Sequence, residues 1–402
     1  MGPPSQPAAA VGVKGGRPRW EVADVVRQYG DGFLGSHGAS GEGRRVLRAI
    51  ASCRTAALGG HVEGCRECGH RRIAYNSCRN RHCPKCQGKE RARWMAGEAA
   101  TLLPVDYFHV VFTLPHALHP LLRLNRGRLY GLLFHAASAT LCELARDPRH
   151  LGAEPSITMV LHTWGQDLRQ HVHVHCVVSA GGLSRSGDRW RATRRHGFLF
   201  PVRVMSKLFR GKYLAGLDHA RNARQLRLEC PSDASGDDLD WKRRLAELRA
   251  VDWVVYAKPP FGGPDRVLKY LSRYTHRVAI SNRRILSVDQ GLVRFACKDY
   301  AHGGAQRIVS LRAPEFLRRF LLHVLPRGFV RIRHYGILAN RHRQRKLAQC
   351  RALLTVPPTS SANRSTSPVP VDPTSPHSGR CPSCGGPLYL LELIPPRPED
   401  TS

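Results

Sequence analysis

Three groups of residues in this 402-residue chain combine reactive side chains with telling spacing. The first is cysteine. Cys65 and Cys68 form a C-x-x-C pair, Cys83 and Cys86 form another, and 14 residues separate the pairs. A two-residue spacer aims both sulfurs of a pair inward, so two pairs can supply the four thiolates of a closed tetrahedral zinc site. Cys78 and His82 lie between the pairs and leave the ligand choice open. The second group is His171-Val-His173-Val-His175. In a strand, this alternation puts the three imidazoles on one face and Val172 and Val174 on the other. Three neutral imidazoles side by side are a metal site with coordination positions left for substrate. Zinc, manganese and magnesium are all open, and imidazole favours the first two. His109, His162 and Gln166 are candidates for a further ligand or its neighbour. The third group is Tyr270 and Tyr274, one helical turn apart. Lys269, Arg266, Arg273, Arg277, Arg283 and Arg284 crowd them, with no acid from Arg266 to Arg284. Cations or a metal that stabilise a phenolate make tyrosine a usable nucleophile. Together the groups fit attack on a DNA phosphodiester, with metal and guanidinium groups stabilising the charged transition state.

These residues need elements to position them. The cysteine-rich stretch is short of apolar residues, and helical patterns precede it (Trp20 to Ala57) and follow it (Lys89 to Leu103). From residue 104 to 325 the pattern is α+β. Strands are predicted over 106–114, 156–164, 172–180 and 252–257, with an edge strand over 198–202. A hairpin is predicted over 278–287 and 292–297. Helices are predicted over 118–144, 204–226, 265–275 and 313–325. The expected fold class is therefore α+β, a mostly antiparallel sheet with helices on its faces, behind a small zinc-binding domain. The expected divisions are a disordered stretch 1–19, a zinc-binding DNA-recognition domain 20–103 and a catalytic domain 104–325. A basic segment 326–356, a Pro/Ser/Thr-rich linker 357–380 and a C-x-x-C tail 381–402 complete them. Cys381 and Cys384 supply half a zinc site and need partners, such as Cys350 or another chain. Cys53, Cys142, Cys176, Cys230 and Cys297 stand alone and read as small buried hydrophobes.

Charge narrows the partner. The chain holds 63 Lys+Arg against 30 Asp+Glu, a net charge of +33. Such an excess points to a polyanion, with nucleic acid the first candidate. Arg79, Arg81 and Lys85 in the zinc module are expected phosphate contacts, as are Arg273 and Arg277 beside the tyrosines. So are Arg331 and Arg333, in the acid-free stretch 326–351. No apolar run reaches the length of a membrane span, and the first 16 residues lack a secretory pattern. Paired cysteines without such a signal suit a reducing cytoplasm and metal rather than disulfides.

The motifs as a set resemble the two-tyrosine HUH transposases of rolling-circle insertion sequences, the group numbered ninety-one and its relatives. Tyr75 through Cys86 is similar to that family's zinc-binding domain, and Val110-Val-Phe-Thr-Leu-Pro-His116 to the opening strand of its nuclease. Thr163 through Leu183 is similar to the segment bearing the HUH motif, here His173-Val174-His175, and Tyr270 through Asn282 to the tyrosine helix. Gly328 through Gly336 is similar to its C-terminal segment. The resemblance implies that His173 and His175 hold a catalytic divalent metal, with a third ligand from elsewhere. It implies that Tyr270 and Tyr274 form 5′-phosphotyrosine links and free 3′-hydroxyls. The expected substrates are single-stranded or hairpin DNA at element ends and target DNA, met in the cytoplasm at the nucleoid. Two alternatives are a plasmid relaxase or replication initiator, and a zinc-dependent DNA-binding protein without catalysis.

Overall fold

The computed structural model of the chain describes residues 18–228, 238–260, 264, 266–267, 270, 279–299, 303–354 and 376–397. The expected disordered stretch (but for residues 18–19), most of the linker, and Arg273, Tyr274 and Arg277 lie outside them. Three antiparallel sheets carry the fold. In chain order the first strands are β1 (Gly60–Cys65), β2 (Arg71–Tyr75), β3 (Tyr107–Thr113), β4 (Ala153–Trp164), β5 (Gln170–Ser184), β6 (Trp190–Ala192) and β7 (Val255–Lys258). They continue with β8 (Ile285–Asp289), β9 (Leu292–Asp299), β10 (Ala305–Arg312), β11 (Ile332–Gly336), β12 (Pro376–Arg380) and β13 (Pro387–Ile394).

The central sheet runs β11-β4-β5-β3-β7, with β6 added to β5. The long hairpin β4–β5 is its spine. Val172, Val174, Cys176 and Val178 of β5 and Ile157, Met159 and Leu161 of β4 are almost wholly buried on one face. They share a core with two long helices, α5 (Arg126–Arg146) and α6 (Val202–Asn222). Burial of each such side chain contributes about 1.5–3 kcal/mol, which fixes the strand's alternation and so the direction of its histidines.

The expected edge strand over 198–202 does not form. Pro201 instead caps α6 with φ −63°, because a proline fits the start of a helix, where its missing N–H is not needed. The expected helix over 265–275 is helical at positions 264, 266, 267 and 270, its other positions lying outside the described residues. The predicted hairpin starts at Ile285, after a 3-10 turn at Asn282–Arg284, and gains β10 as a third strand. The basic segment does not stand apart: its β11 forms the edge of the central sheet against β4.

A second core joins the chain's early and late parts. Helices α1 (Val22–His37) and α2 (Gly41–Ala51) pack with β8, β9, β10 and the helix Ala313–Leu322 through Val25, Phe33, Leu47, Phe295, Phe316 and Phe320. Leu168 at the β4–β5 tip is wholly buried in this core, with φ +63°. The tip is held by its carbonyls. Arg284, Arg319 and His323 donate to the backbone oxygens of Gln166, Asp167 and Leu168 respectively. Among the described residues no helix is long and apolar enough to cross a membrane.

Candidate metal centre and nucleic-acid interface

The second face of the central sheet carries the histidines. Register aligns His162 of β4 with His173, Val160 with His175, and His109 of β3 with Val177. Paired residues share a face, so His109, His162, His173 and His175 come together. His173 Nε2 lies 3.1 Å from His175 Nε2 and 3.1 Å from His162 Nδ1. These three residues can each offer one nitrogen within 4.8 Å of the others. All three rings are held neutral. Burial pushes the pKa of His162 and His173 well below the ordinary imidazole value, and neighbouring histidines add to it. Burial, then His109, pushes His175 to about 3. Neutral, converging nitrogens are the ligand form of histidine, so the set fits a divalent metal.

His171 lies outside this set. Its ring is half-buried and packs against His116, 6.1 Å away between centroids, while its backbone oxygen sits 2.9 Å from His173 Nδ1. His162 stands in its place: its Nδ1 converges on His173 Nε2 at 3.1 Å, whereas the His171 ring, equally near His173 at 4.8 Å between centroids, is not among the converging ligands. The Gln166 backbone is engaged by Arg284 at the hairpin tip.

Tyr270 covers the same face. Its hydroxyl lies 3.0 Å from His109 Nε2 and 3.2 Å from His109 Nδ1, and His109 Nε2 lies 2.9 Å from His175 Nδ1. Val267, one turn before Tyr270, is buried with Val160, Val177, Tyr107 and Leu102, which seats this helical segment on the sheet. His109 was named in the sequence only as a spare candidate. Its position between a tyrosine and a ligand-capable histidine needed the β3–β5 register to be seen.

The cysteines are arranged differently from the expectation. Cys65 and Cys68 do not join Cys83 and Cys86. Cys83 and Cys86 cluster with Cys53 and Cys78, whereas Cys65 and Cys68 cluster with Cys381 and Cys384. Pairing of β1 with β13 carries Cys65 toward the tail and away from the loop 78–86. Cys53, expected as an isolated hydrophobe, has its sulfur 3.4 Å from that of Cys86. The four sulfurs of this cluster, Cys53 included, lie within 4.8 Å of one another, as suits a shared metal. His82 is buried and takes no part, its Nε2 accepting from the Leu325 N–H at 3.4 Å. Cys350 is buried in a separate cluster with Leu103, Leu183 and Leu347.

A basic cleft of 1610 Å³ lies between the cysteine module and the β11 edge of the central sheet. Arg54, Arg72, Arg79, Arg93 and Tyr75 line it, together with Glu63 and Glu90, which pair with Arg72 and Arg93 respectively. Arg79 is exposed there, with φ +50°. Three of the other expected contacts hold protein as well. Arg81 donates to the Phe329 and Pro326 oxygens at 2.6 and 2.8 Å, tying the cysteine loop to the segment before β11. Lys85 pairs with Glu21. Arg333 stacks 4.4 Å over Phe134 on the apolar side of the sheet. Arg331 lines the cleft, and burial, then Arg81, lowers its pKa to about 10.

Comparison with known proteins matches this division. A family described as a putative transposase covers residues 156–346, and one described as a transposase zinc-binding domain covers residues 25–114. The chain is 50% identical over 393 residues to the putative transposase y4qJ of Sinorhizobium fredii, across 95% of this chain and 98% of the relative. It is 30% identical over 299 residues to the transposase for insertion sequence element IS801 of Pseudomonas savastanoi pv. phaseolicola, across 74% of this chain and 70% of the relative. No solved structure matches. The zinc-binding match takes in Cys53, Cys78, Cys83 and Cys86, and the transposase match takes in the histidine strand and Tyr270. The chain therefore belongs to the insertion-sequence transposases of the IS91 type.

Proposed function

We propose that this transposase nicks and rejoins single-stranded DNA at the ends of a rolling-circle insertion sequence through 5′-phosphotyrosine intermediates. The observation that carries the reading is the chain of contacts from the Tyr270 hydroxyl through His109 to His175 and the converged histidines. His162, His173 and His175 would hold a divalent metal (magnesium or manganese, with zinc a further option). When bound, that metal polarises the scissile phosphate. Were His175 to serve as a ligand through Nε2, its Nδ1 would carry the proton and donate to His109 Nε2, 2.9 Å away. His109 then keeps its own proton on Nδ1 and donates it toward the Tyr270 oxygen, which favours the phenolate. Tyr270 Oη bonds to phosphorus as the bond to the 3′-oxygen breaks. The phenol proton leaves to bulk water and the departing 3′-oxygen takes one from water, so the protons balance. The phosphotyrosine conserves the bond for rejoining, with Tyr274 as the proposed second nucleophile.

The cleft lined by Arg54 and Arg79 suits a single strand, with Tyr75 available as a stacking surface. Arg273 and Arg277 are proposed phosphate contacts beside the tyrosines. A zinc ion held by Cys53, Cys78, Cys83 and Cys86 is proposed to be structural, since four thiolates leave no open position. Family membership disfavours the relaxase alternative. The test is incubation of the full chain with labelled single-stranded element-end DNA and manganese, followed by a denaturing gel. A covalent adduct that disappears in Tyr270→Phe/Tyr274→Phe is expected. An adduct undiminished in that variant would overturn the phosphotyrosine reading, and absence of any adduct with the wild type would favour the binding protein without catalysis.

A further inference from the structure

We propose that Cys65, Cys68, Cys381 and Cys384 bind a second, structural zinc ion that clasps the C-terminal segment onto the N-terminal module. The four sulfurs lie within 4.8 Å of one another. Cys65 Sγ is 3.4 Å from Cys384 Sγ, and Cys68 Sγ is 3.5 Å from Cys381 Sγ. A tetrahedron of thiolates around zinc, with bonds of about 2.3 Å, has sulfur–sulfur edges of roughly 3.8 Å. All four are free thiols in the structure.

The backbone around the two pairs is built alike. The Cys65 oxygen accepts from the Gly69 N–H at 3.1 Å, and the Cys381 oxygen accepts from the Gly385 N–H at 2.9 Å. The Cys65 N–H donates to the His70 oxygen at 2.9 Å, and the Cys381 N–H to the Gly386 oxygen at 2.7 Å. Gly69 and Gly385 both adopt left-handed conformations, with φ +70° and +79°, which a side chain would strain. Backbone N–H groups are already aimed at sulfur. The Ser383 N–H donates to Cys381 Sγ and the Gly386 N–H to Cys384 Sγ, each at 3.4 Å. Such donors stabilise thiolate charge. Two matching knuckles thus face each other although Cys68 and Cys381 are 313 positions apart.

Packing alone gives the tail little to hold it. Among the described residues the local core consists of Cys65, Cys381 and Leu388. A core that small does not stabilise a fold without a cross-link or a metal. The tail is nevertheless placed with care. β13 pairs with β1 from Gly60↔Ile394 to Cys65↔Leu388, and Arg66 stacks 4.1 Å over Tyr389. A Cβ at Gly59, whose φ is +64°, would meet the Ile394 oxygen at 2.5 Å. The inference does not depend on the phosphotyrosine reading.

Zinc content of the full-length protein tests it, measured by mass spectrometry in a His173→Ala/His175→Ala background that removes the histidine site. Two equivalents per chain are expected, falling to one in Cys381→Ser/Cys384→Ser. Trypsin should then cut after Arg380 in that variant and spare it in the parent. Equal zinc in parent and variant would overturn the proposal. A second measurement covers a variant that fails to fold. Cobalt titration of the metal-stripped parent chain should give two equivalents with sulfur-to-cobalt charge-transfer absorption, and saturation at one equivalent would overturn the clasp.

Discussion

The two faces of the central sheet follow the same strand alternation and serve opposite ends. On one face β5 presents Val172, Val174, Cys176 and Val178 to α5 and α6, all essentially without solvent contact. On the other it presents His173 and His175 to His162, His109 and Tyr270. His109, His173 and His175 are buried as the valines are, so exposure does not separate structure from chemistry here. Polarity does. Buried imidazoles lose hydration, and under the proposed function a metal held by His162, His173 and His175 would repay that loss. The apolar face sets the strand's register, and the register sets which histidines meet.

Substitutions on the two faces should separate accordingly. The largest effect is expected for His173→Ala, which should lower adduct formation roughly 10³-fold or more, because Lewis-acid stabilisation is worth several kcal/mol. Its melting temperature without metal should stay near that of the parent. A strongly destabilised His173→Ala chain would mean that the histidine face is structural. Next comes Leu161→Ala on the apolar face. It should cost about 2–5 kcal/mol in denaturant unfolding, with adduct yield per folded molecule unchanged. His109→Ala should lie between the two types, with a loss of about 10–100-fold in activity or manganese affinity, the range for partners of metal ligands. Single-strand binding measured without metal should be unaffected by it. The smallest effect belongs to the cleft. Arg79→Ala should weaken single-stranded DNA binding and reduce the salt slope of log affinity by about 0.7.

What could be read from the sequence follows the range of each signal. His173 and His175 were legible because a period of two is local, and Tyr270 because basic residues crowd it within a few positions of sequence. His162 was visible only as a candidate, since its role depends on pairing with His173 across the hairpin. Cys53 was missed. It has no partner at C-x-x-C spacing and meets Cys86 across 33 positions of sequence, a separation no local pattern encodes. Splitting Cys65 and Cys68 from Cys83 and Cys86 required the tail. One local signal was available: Cys68 and Cys384 are each followed by glycine, whereas Cys86 is followed by Gln87. Like knuckles pair with like. The expected helices and main strands formed largely where periodicity placed them. The edge strand over 198–202 did not, because Pro201 suited a helix start better. Arg81 and Arg333 show the limit of reading charge alone, since both cations hold protein groups in the folded chain.

The pairing of β1 with β13 also sets an order of events during synthesis. Cys65 and Cys384 are separated by 319 positions. At about 5–20 residues per second, β1 waits roughly 15–60 s for its partner to leave the ribosome. Over that interval the four-stranded sheet is half built, and its edge at β1 is open. A chain that stops before residue 387 never acquires β13, however complete its histidine site. The sheet beside the basic cleft is therefore finished last, although its first strands are among the earliest made.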